Sequence, residues 1–258
     1  MNRIKKGFAG GKALIAFVTA GDPSLDVTER LVPAMAEVGA DIIELGIPFS
    51  DPVAEGEVIQ RADGRALSAG ATTDRIFETV ERIRQTSDVP LAFMTYVNPV
   101  FVYGPEKFME KCARCGIDAL IVPDLPFEEK EELSPFCKKY GVPLISLVAP
   151  TSKERISQIA ASAEGFLYCV SSLGVTGVRE NIDTDIAEMV RLAKAEKDIP
   201  CAVGFGISSP EQARKMSRAA DGVIVGSAIV KLVEKYGPDC PEHVCGYIKE
   251  LKEAISGE

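Results

Sequence analysis

Histidine occurs once in these 258 residues, as His243. A Ser-His or Cys-His nucleophilic mechanism would have to use it, yet it lies in a terminal segment with Pro and Cys, far from every other candidate. No apolar run reaches 18 residues, which argues against a transmembrane helix. The opening Met1-Asn2-Arg3-Ile4-Lys5-Lys6 leads to Gly7 and Gly10-Gly11 instead of an apolar signal-peptide core, so the expectation is a cytoplasmic protein. Concentrated basic runs are missing too: Lys and Arg are scattered singly or in pairs, the net charge is −9 and the pI is near 4.9. That balance argues against a nucleic-acid or anionic-membrane partner. Low-complexity tracts are absent, and with 46% hydrophobic and 26% charged residues the chain should be ordered throughout.

Cysteine is present without a pairing pattern. The seven cysteines are an odd number, and Cys112, Cys115, Cys137, Cys169 and Cys201 sit inside apolar segments, as reduced thiols used as small hydrophobes do. No disulfide is expected. Cys112-Ala-Arg-Cys115 and the group Cys240, His243 and Cys245 have ligand-like spacing, but neither is matched by a second well-spaced pair. They read as packing residues, and no metal is expected.

Short apolar runs alternate with helical patterns along the whole chain. Strands are expected at Ala13–Thr19, around Glu44, and at Leu91–Thr95, Ala119–Val122, Leu144–Val148, Phe166–Val170, Cys201–Gly204 and Gly222–Val225. Between them lie helices with Val27, Leu31, Met35 and Val38 or Ile76, Val80 and Ile83 on one face, then near 105–115, 128–139, 153–161, 183–196 and 209–219, with two more at 228–236 and 242–255. A weak repeat supports this count. Gly39-Ala40-Asp41, Gly116-Ile117-Asp118 and Ala220-Asp221 open even strands, whereas Val89-Pro90, Val142-Pro143 and Ile199-Pro200 open odd ones. Eight βα units without a long linker read as a single-domain (β/α)8 barrel with extra helices over 1–258, in preference to a doubly wound sheet or two domains.

In such a barrel the strand ends and following loops build the site on one face. Ala40-Asp41-Ile42-Ile43-Glu44-Leu45-Gly46 is a doubly buried strand carrying a carboxyl group near its end, and Glu55 follows on the adjoining loop. A glutamate there must be paired, protonated or functional. The two carboxyls suit general acid/base chemistry; the alternative is a strand-end ion pair and a solvated loop residue. Tyr96 and Asn98 follow strand three, Asp124 follows strand four, and Tyr168 lies within strand six. Strand seven ends in Gly204-Phe205-Gly206-Ile207-Ser208-Ser209, and strand eight in Gly226-Ser227-Ala228 at a helix start. Glycine permits close backbone approach and helix N-termini aim N–H groups at an anion, so this pair of loops reads as a phosphate site that needs no basic side chain. Two ordinary turns with a serine cap are the alternative.

Several stretches now coincide: Glu44-Leu-Gly-Ile-Pro-Phe-Ser-Asp-Pro-Val-Ala-Glu-Gly, Gly174-Val-Thr-Gly177, Gly204-Phe-Gly-Ile-Ser-Ser with Gly226-Ser-Ala-Ile, Phe17-Val-Thr-Ala-Gly-Asp-Pro, and Tyr96-Val-Asn-Pro. Together they closely resemble the tryptophan synthase α subunit family over nearly the whole chain. The first motif is highly specific, whereas the phosphate loops occur in many barrels. The resemblance implies a lyase that cleaves indole-3-glycerol phosphate by a retro-aldol step to indole and glyceraldehyde 3-phosphate, with no metal or organic cofactor of its own. Glu44 matches the catalytic glutamate, Glu55 the second acid near the indole N–H, and Tyr168 the tyrosine lining the indole site. Gly177, Phe205, Gly206, Gly226 and Ser227 match the phosphate site and its neighbourhood; Thr176 matches a threonine of the closing loop, and Phe17, Met94, Pro123 and Ile224, with Tyr96, fall around the indole pocket.

This chain departs from the family in three places: Glu55 stands for a usual aspartate, Glu57 for a usual proline, and Ser172 for a frequent arginine in the closing loop. A longer acid matters because a misplacement of about 1 Å can lower turnover 10²-fold. The resemblance also implies a pyridoxal-phosphate-dependent β subunit as partner in an α2β2 complex, receiving indole through a tunnel. Pro48–Pro52, Asn98–Phe101 and Asp124–Phe127 match docking loops, and apolar Phe49, Phe101 and Phe127 there suit a covered surface. Competing readings are a free-standing indole-releasing lyase, another phosphate-binding barrel enzyme such as an isomerase, and a weakly catalytic chain that binds the ligand and regulates β.

Overall fold

A computed structural model describes residues 3–150, 153–170, 182–204 and 206–257. Eight parallel strands close into a barrel in chain order: β1 (Ala13–Thr19), β2 (Ile42–Gly46), β3 (Leu91–Met94), β4 (Ala119–Ile121), β5 (Leu144–Val148), β6 (Leu167–Val170), β7 (Cys201–Gly204) and β8 (Gly222–Val225). Around it run α1 (Arg3–Gly7), α2 (Leu25–Glu37), α3 (Glu57–Ser68), α4 (Thr73–Ile83), α5 (Val97–Tyr103), α6 (Pro105–Cys115), α7 (Ser134–Tyr140), α8 (Lys153–Ser162), α9 (Ile182–Glu196), α10 (Pro210–Ser217), α11 (Ser227–Tyr236) and α12 (Cys240–Ser256). This is the expected (β/α)8 barrel with extra helices. Side chains alternate along each strand, so Ile15, Ile42, Ala92, Ile121, Ile145, Ala202 and Ile224 fill the interior. Leu14, Ile43, Leu91, Leu120 and Val223 pack instead with the helix layer.

Four elements differ from the sequence expectation. The basic opening segment is a helix, α1, and it floors the barrel: Ile4 is wholly buried among the interior residues, and the Phe8 ring lies tilted 5.7 Å from that of Phe166. Helices α3 and α5 occupy stretches for which no helix is expected, since α3 buries mainly small residues and α5 carries Pro99 in its first turn. Conversely, the helix expected near 128–139 is split into a 3₁₀ turn (Phe127–Glu132) and α7. Pro135 explains the break, because it lacks an N–H and fits only the first turn of a helix.

The even-strand repeat has a physical cause. Asp41, Asp118 and Asp221 each precede an even strand and reach sideways to the strand before. Their carboxylates accept the N–H of Leu14 at 2.7 Å, Leu91 at 3.0 Å and Cys201 at 2.8 Å. Their own N–H groups donate back to the carbonyls of the same three residues, each at 2.8 Å. Each clamp also holds a cation: Lys252 Nζ at 2.6 Å from Asp41, Arg84 at 2.7 Å from Asp118, and Lys194 at 2.7 Å from Asp221. The pair Arg84–Asp118 is the most enclosed, with side chains 10% and 8% exposed. Removing one member strands a buried charge, which typically costs about 3–5 kcal/mol. Asp118→Ala should therefore lower the denaturant-unfolding free energy by about that much, while Asp118→Asn, which keeps an acceptor for Leu91 N–H, should lose less. Equal, small losses in both variants would show that the clamp carries little stability.

Candidate active site

Glu44 shares the interior face of β2 with Ile42, one residue pair short of the strand's C-terminal end. It sits beside Phe17 of β1 and Ala92 of β3 in the strand register. The side chain is fully buried, and neither carboxyl oxygen has a hydrogen-bond partner among the described residues. Burial, and secondly the nearby charge of Glu55, push its pKa up to about 8. At neutral pH this residue is therefore mainly a neutral carboxylic acid, able to give a proton.

The second carboxyl is brought in by a loop that is tied down in steps. Glu55 lies between β2 and α3, partly buried, and burial raises its pKa. The N–H of Ala54 donates to Tyr96 Oη at 2.8 Å, the Phe49 ring lies 5.4 Å from that of Tyr96, and Gln60 Nε2 donates to the Glu55 carbonyl at 2.8 Å. The next loop is fixed in turn, because Asp124 Oδ1 accepts the N–H of Val97 at 2.9 Å. Asp63, which sequence reasoning missed, backs the same loop from α3. It is buried, its pKa is pushed up to about 7 chiefly by burial, and Phe49 N–H and the Thr19 hydroxyl pull it partly back down.

Across the barrel, Tyr168 points inward from β6. Burial first, and then the charges of Glu44 and Glu55, hold its phenol well above the ordinary range, which places all three groups in one electrostatic cluster. Two glycines make room for the aromatic walls. A Cβ on Gly204 would lie 2.6 Å from Tyr168 Oη, and one on Gly46 would lie 2.7 Å from the Phe17 ring. Met94 packs both with Phe17 and with the interior residues, among them Ile224. Pro123, by contrast, lines a separate cavity of about 420 Å³ beside β5, between α7 and α8.

The candidate anion site lies at the ends of β7 and β8. Helix α11 begins at Ser227 after Gly226, which offers no side-chain cap, so the first N–H groups of the helix have no intrahelical partner. Gly206 adopts φ +79°, and a Cβ there would meet nothing within 4 Å. Ser172, Thr176, Gly177 and Phe205 lie outside the described residues. On the rim, Phe49 is half-buried against Tyr96 and Phe127 packs with the helix layer. Phe101 is 44% exposed, on α5 instead of a loop, and Val53 and Val102, not singled out from sequence, are 86% and 82% exposed. His243 stacks on Tyr236 at 3.5 Å, and all seven cysteines are free thiols. Among the described residues no helix is long and apolar enough to cross a membrane.

Known proteins match this arrangement along its whole length. The model of the family described as "Tryptophan synthase alpha chain" matches residues 5–255. The tryptophan synthase alpha chain of Caldanaerobacter subterraneus subsp. tengcongensis is 50% identical over 260 residues, covering 99% of this chain and 97% of its own. That of Lacticaseibacillus casei is 45% identical over 258 residues, covering 100% and 97%. Among solved structures, tryptophan synthase subunit alpha from Legionella pneumophila str. Paris superposes with a TM-score of 0.89 at 37% identity, covering 99% of each chain. A chain of tryptophan synthase from M. tuberculosis superposes at 0.87 with 32% identity, covering 99% of this chain and 100% of its own. With identity of this order across the full barrel, the chain belongs to the tryptophan synthase alpha chain family.

Proposed function

We propose that this chain cleaves indole-3-glycerol phosphate to indole and glyceraldehyde 3-phosphate, with Glu44 as its acid–base residue. The observation that carries the reading is Glu44 itself: fully buried, without a hydrogen-bond partner among the described residues, and shifted to about 8 beside Glu55 and Tyr168. Its proton goes to C3 of the indole ring, and positive charge develops at the ring nitrogen. Ionised Glu55 stabilises that charge through the indole N–H. The bond between C3 and the glycerol carbon then breaks as the adjacent hydroxyl loses its proton to the Glu44 carboxylate, leaving an aldehyde and restoring the acid. Proton and electron pair balance between substrate and protein carboxyls, so the reading assigns the chain no cofactor of its own.

Tyr168 and Phe17 would flank the indole, with Met94, Tyr96 and Ile224 around it; Pro123, which lines the cavity beside β5, is left out of this pocket. Gly206, Gly226 and Ser227, with Gly177 and Phe205, would hold the phosphate, and Thr176 would meet the second acid. The partner is the β subunit, in an α2β2 complex in the cytoplasm, which takes up indole with its own pyridoxal phosphate. Val53, Phe101 and Val102, exposed on the rim around the site, suit that docking. Indole release measured with the purified chain, alone and with a β subunit from the same source, tests this: release should rise sharply on adding β. Fast release that β leaves unchanged would favour a free-standing lyase, and no release in either case would reject the reading.

The two carboxyls predict a bell-shaped pH profile of turnover. Activity should fall as pH rises through about 8, where Glu44 loses its proton, and fall again on the acid side as Glu55, itself raised, becomes neutral. A profile flat from pH 7 to 9 would contradict the role of Glu44.

Glu44→Gln should abolish turnover and leave binding of a substrate analogue nearly intact. It should also stabilise the fold in alkali. Between the ordinary value of 4.5 and about 8 the folded chain keeps a proton that the unfolded chain releases, so stability is drained as pH rises through that window. Glutamine cannot ionise, and the gain in melting temperature over the native chain should therefore grow from pH 5 to pH 8.

Glu55→Asp probes the length of the second acid. A large gain in indole formation would mean that the native glutamate is misplaced; unchanged or lower activity means that this pocket is built for the longer side chain.

A further inference from the structure

The barrel has a second charged concavity at the end opposite Glu44, where the strands begin. A groove of about 930 Å³ is lined there by the loop before β1, by Pro200 before β7, by Asp221 before β8, and by side chains of α9 and α10. Its charge is lopsided. Asp221 is already engaged, accepting from Lys194 Nζ at 2.7 Å and from Cys201 N–H at 2.8 Å. That leaves Lys5, Lys12, Arg214 and Arg218 facing the single carboxylate of Asp198.

None of these four cations makes a salt bridge among the described residues. Lys12 Nζ donates to the Ala220 carbonyl at 2.6 Å and Arg214 Nε to that of Ala254 at 3.1 Å, contacts that orient the charges without neutralising them. The residues are scattered along a chain of net charge −9, and only the fold gathers them. Like charges collected in a concave wall focus a positive potential and attract anions. An adjoining cavity of about 450 Å³ shares Lys5 and Asp198 and adds Lys138 and Lys197 against the single further carboxylate of Glu164.

The loop over the groove has the backbone for an anion. Gly11 adopts φ +111°, and a Cβ on Gly10 or Gly11 would meet nothing within 4 Å. Packing leaves this backbone bare, so a ligand can approach its N–H groups closely. The volume falls within the ~300–1,000 Å³ of small-molecule sites. We propose that this groove binds a small polyanion, a metabolite carrying several phosphate charges, between the Gly10-Gly11 backbone and the cations of Lys5, Lys12, Arg214 and Arg218. The site is separate from the lyase centre and independent of its assignment.

Calorimetric titration of the full chain with tripolyphosphate tests it, with the opposite face saturated by glycerol 3-phosphate and with indole release followed in parallel. One equivalent should bind, and Lys5→Glu or Arg218→Glu should each weaken binding roughly tenfold at low salt while leaving indole release and the melting temperature unchanged. Both side chains are exposed, so the variants keep the fold. Binding that the charge reversals leave untouched, binding that glycerol 3-phosphate displaces, or the absence of binding would each overturn the proposal. Capture of a short RNA without tripolyphosphate would overturn it as well, since that partner reads a surface and not a pocket.

Discussion

Burying Glu44 without a hydrogen-bond partner among the described residues is the constraint around which this end of the barrel is arranged. An ionised carboxylate in that position would cost far more than a strand end can supply, so the group keeps its proton, and the protein obtains an acid at neutral pH. Its setting follows from strand geometry alone. The period of two sends Ile42 and Glu44 inward together, while closure of the sheet surrounds them with β1, β3 and β6. The loop bearing Glu55 is then tied to Tyr96, and Tyr96 to Asp124 through the next residue, so that a second carboxyl stands close enough to be felt by the first. The same low dielectric that keeps Glu44 neutral strengthens that interaction.

The two ends of the barrel use charge in opposite ways. At the strand starts, Asp41, Asp118 and Asp221 are clamps, each satisfied by backbone N–H and a cation. At the strand ends the carboxyls of Glu44, Glu55 and Asp63 are all raised by burial. Carboxylates satisfied by backbone N–H and a cation hold the sheet together; those raised by burial gather at the opposite end, where the proposed chemistry would use Glu44 and Glu55. The separation lets loops at one end vary without disturbing the clamps at the other.

Much of this was legible in the sequence, for reasons that differ by element. The strands of a parallel barrel are buried on both faces and read as apolar runs, and Ala13–Thr19, Leu144–Val148, Cys201–Gly204 and Gly222–Val225 fall on the expected residues. Glu44 stood out because a charge interrupts such a run. Helix α1 did not, since five residues with two lysines carry no readable period although Ile4 is wholly buried. Asp63 was hidden because it lies in α3, whose few buried residues are mostly small and carry no readable helical period. Gly46 and Gly204 looked like strand terminators, and only the register shows that each vacates space for an aromatic ring. The meeting of Glu44 on β2 with Tyr168 on β6 lies beyond any spacing rule, and it was foreseen only through the family resemblance.

The aspartate clamps join β1 to β2, β3 to β4 and β7 to β8, and no aspartate joins β5 to β6 among the described residues. On that flank Leu144, Ser146 and Leu147 of β5 are only partly covered, and the cavity between α7 and α8 opens beside them. Of the four odd-to-even joints of the barrel, three are thus riveted by aspartate and the β5–β6 joint is plain. Local opening begins at the least supported pairing, so amide protons of β5 should exchange with solvent before those of β1, β3 or β7.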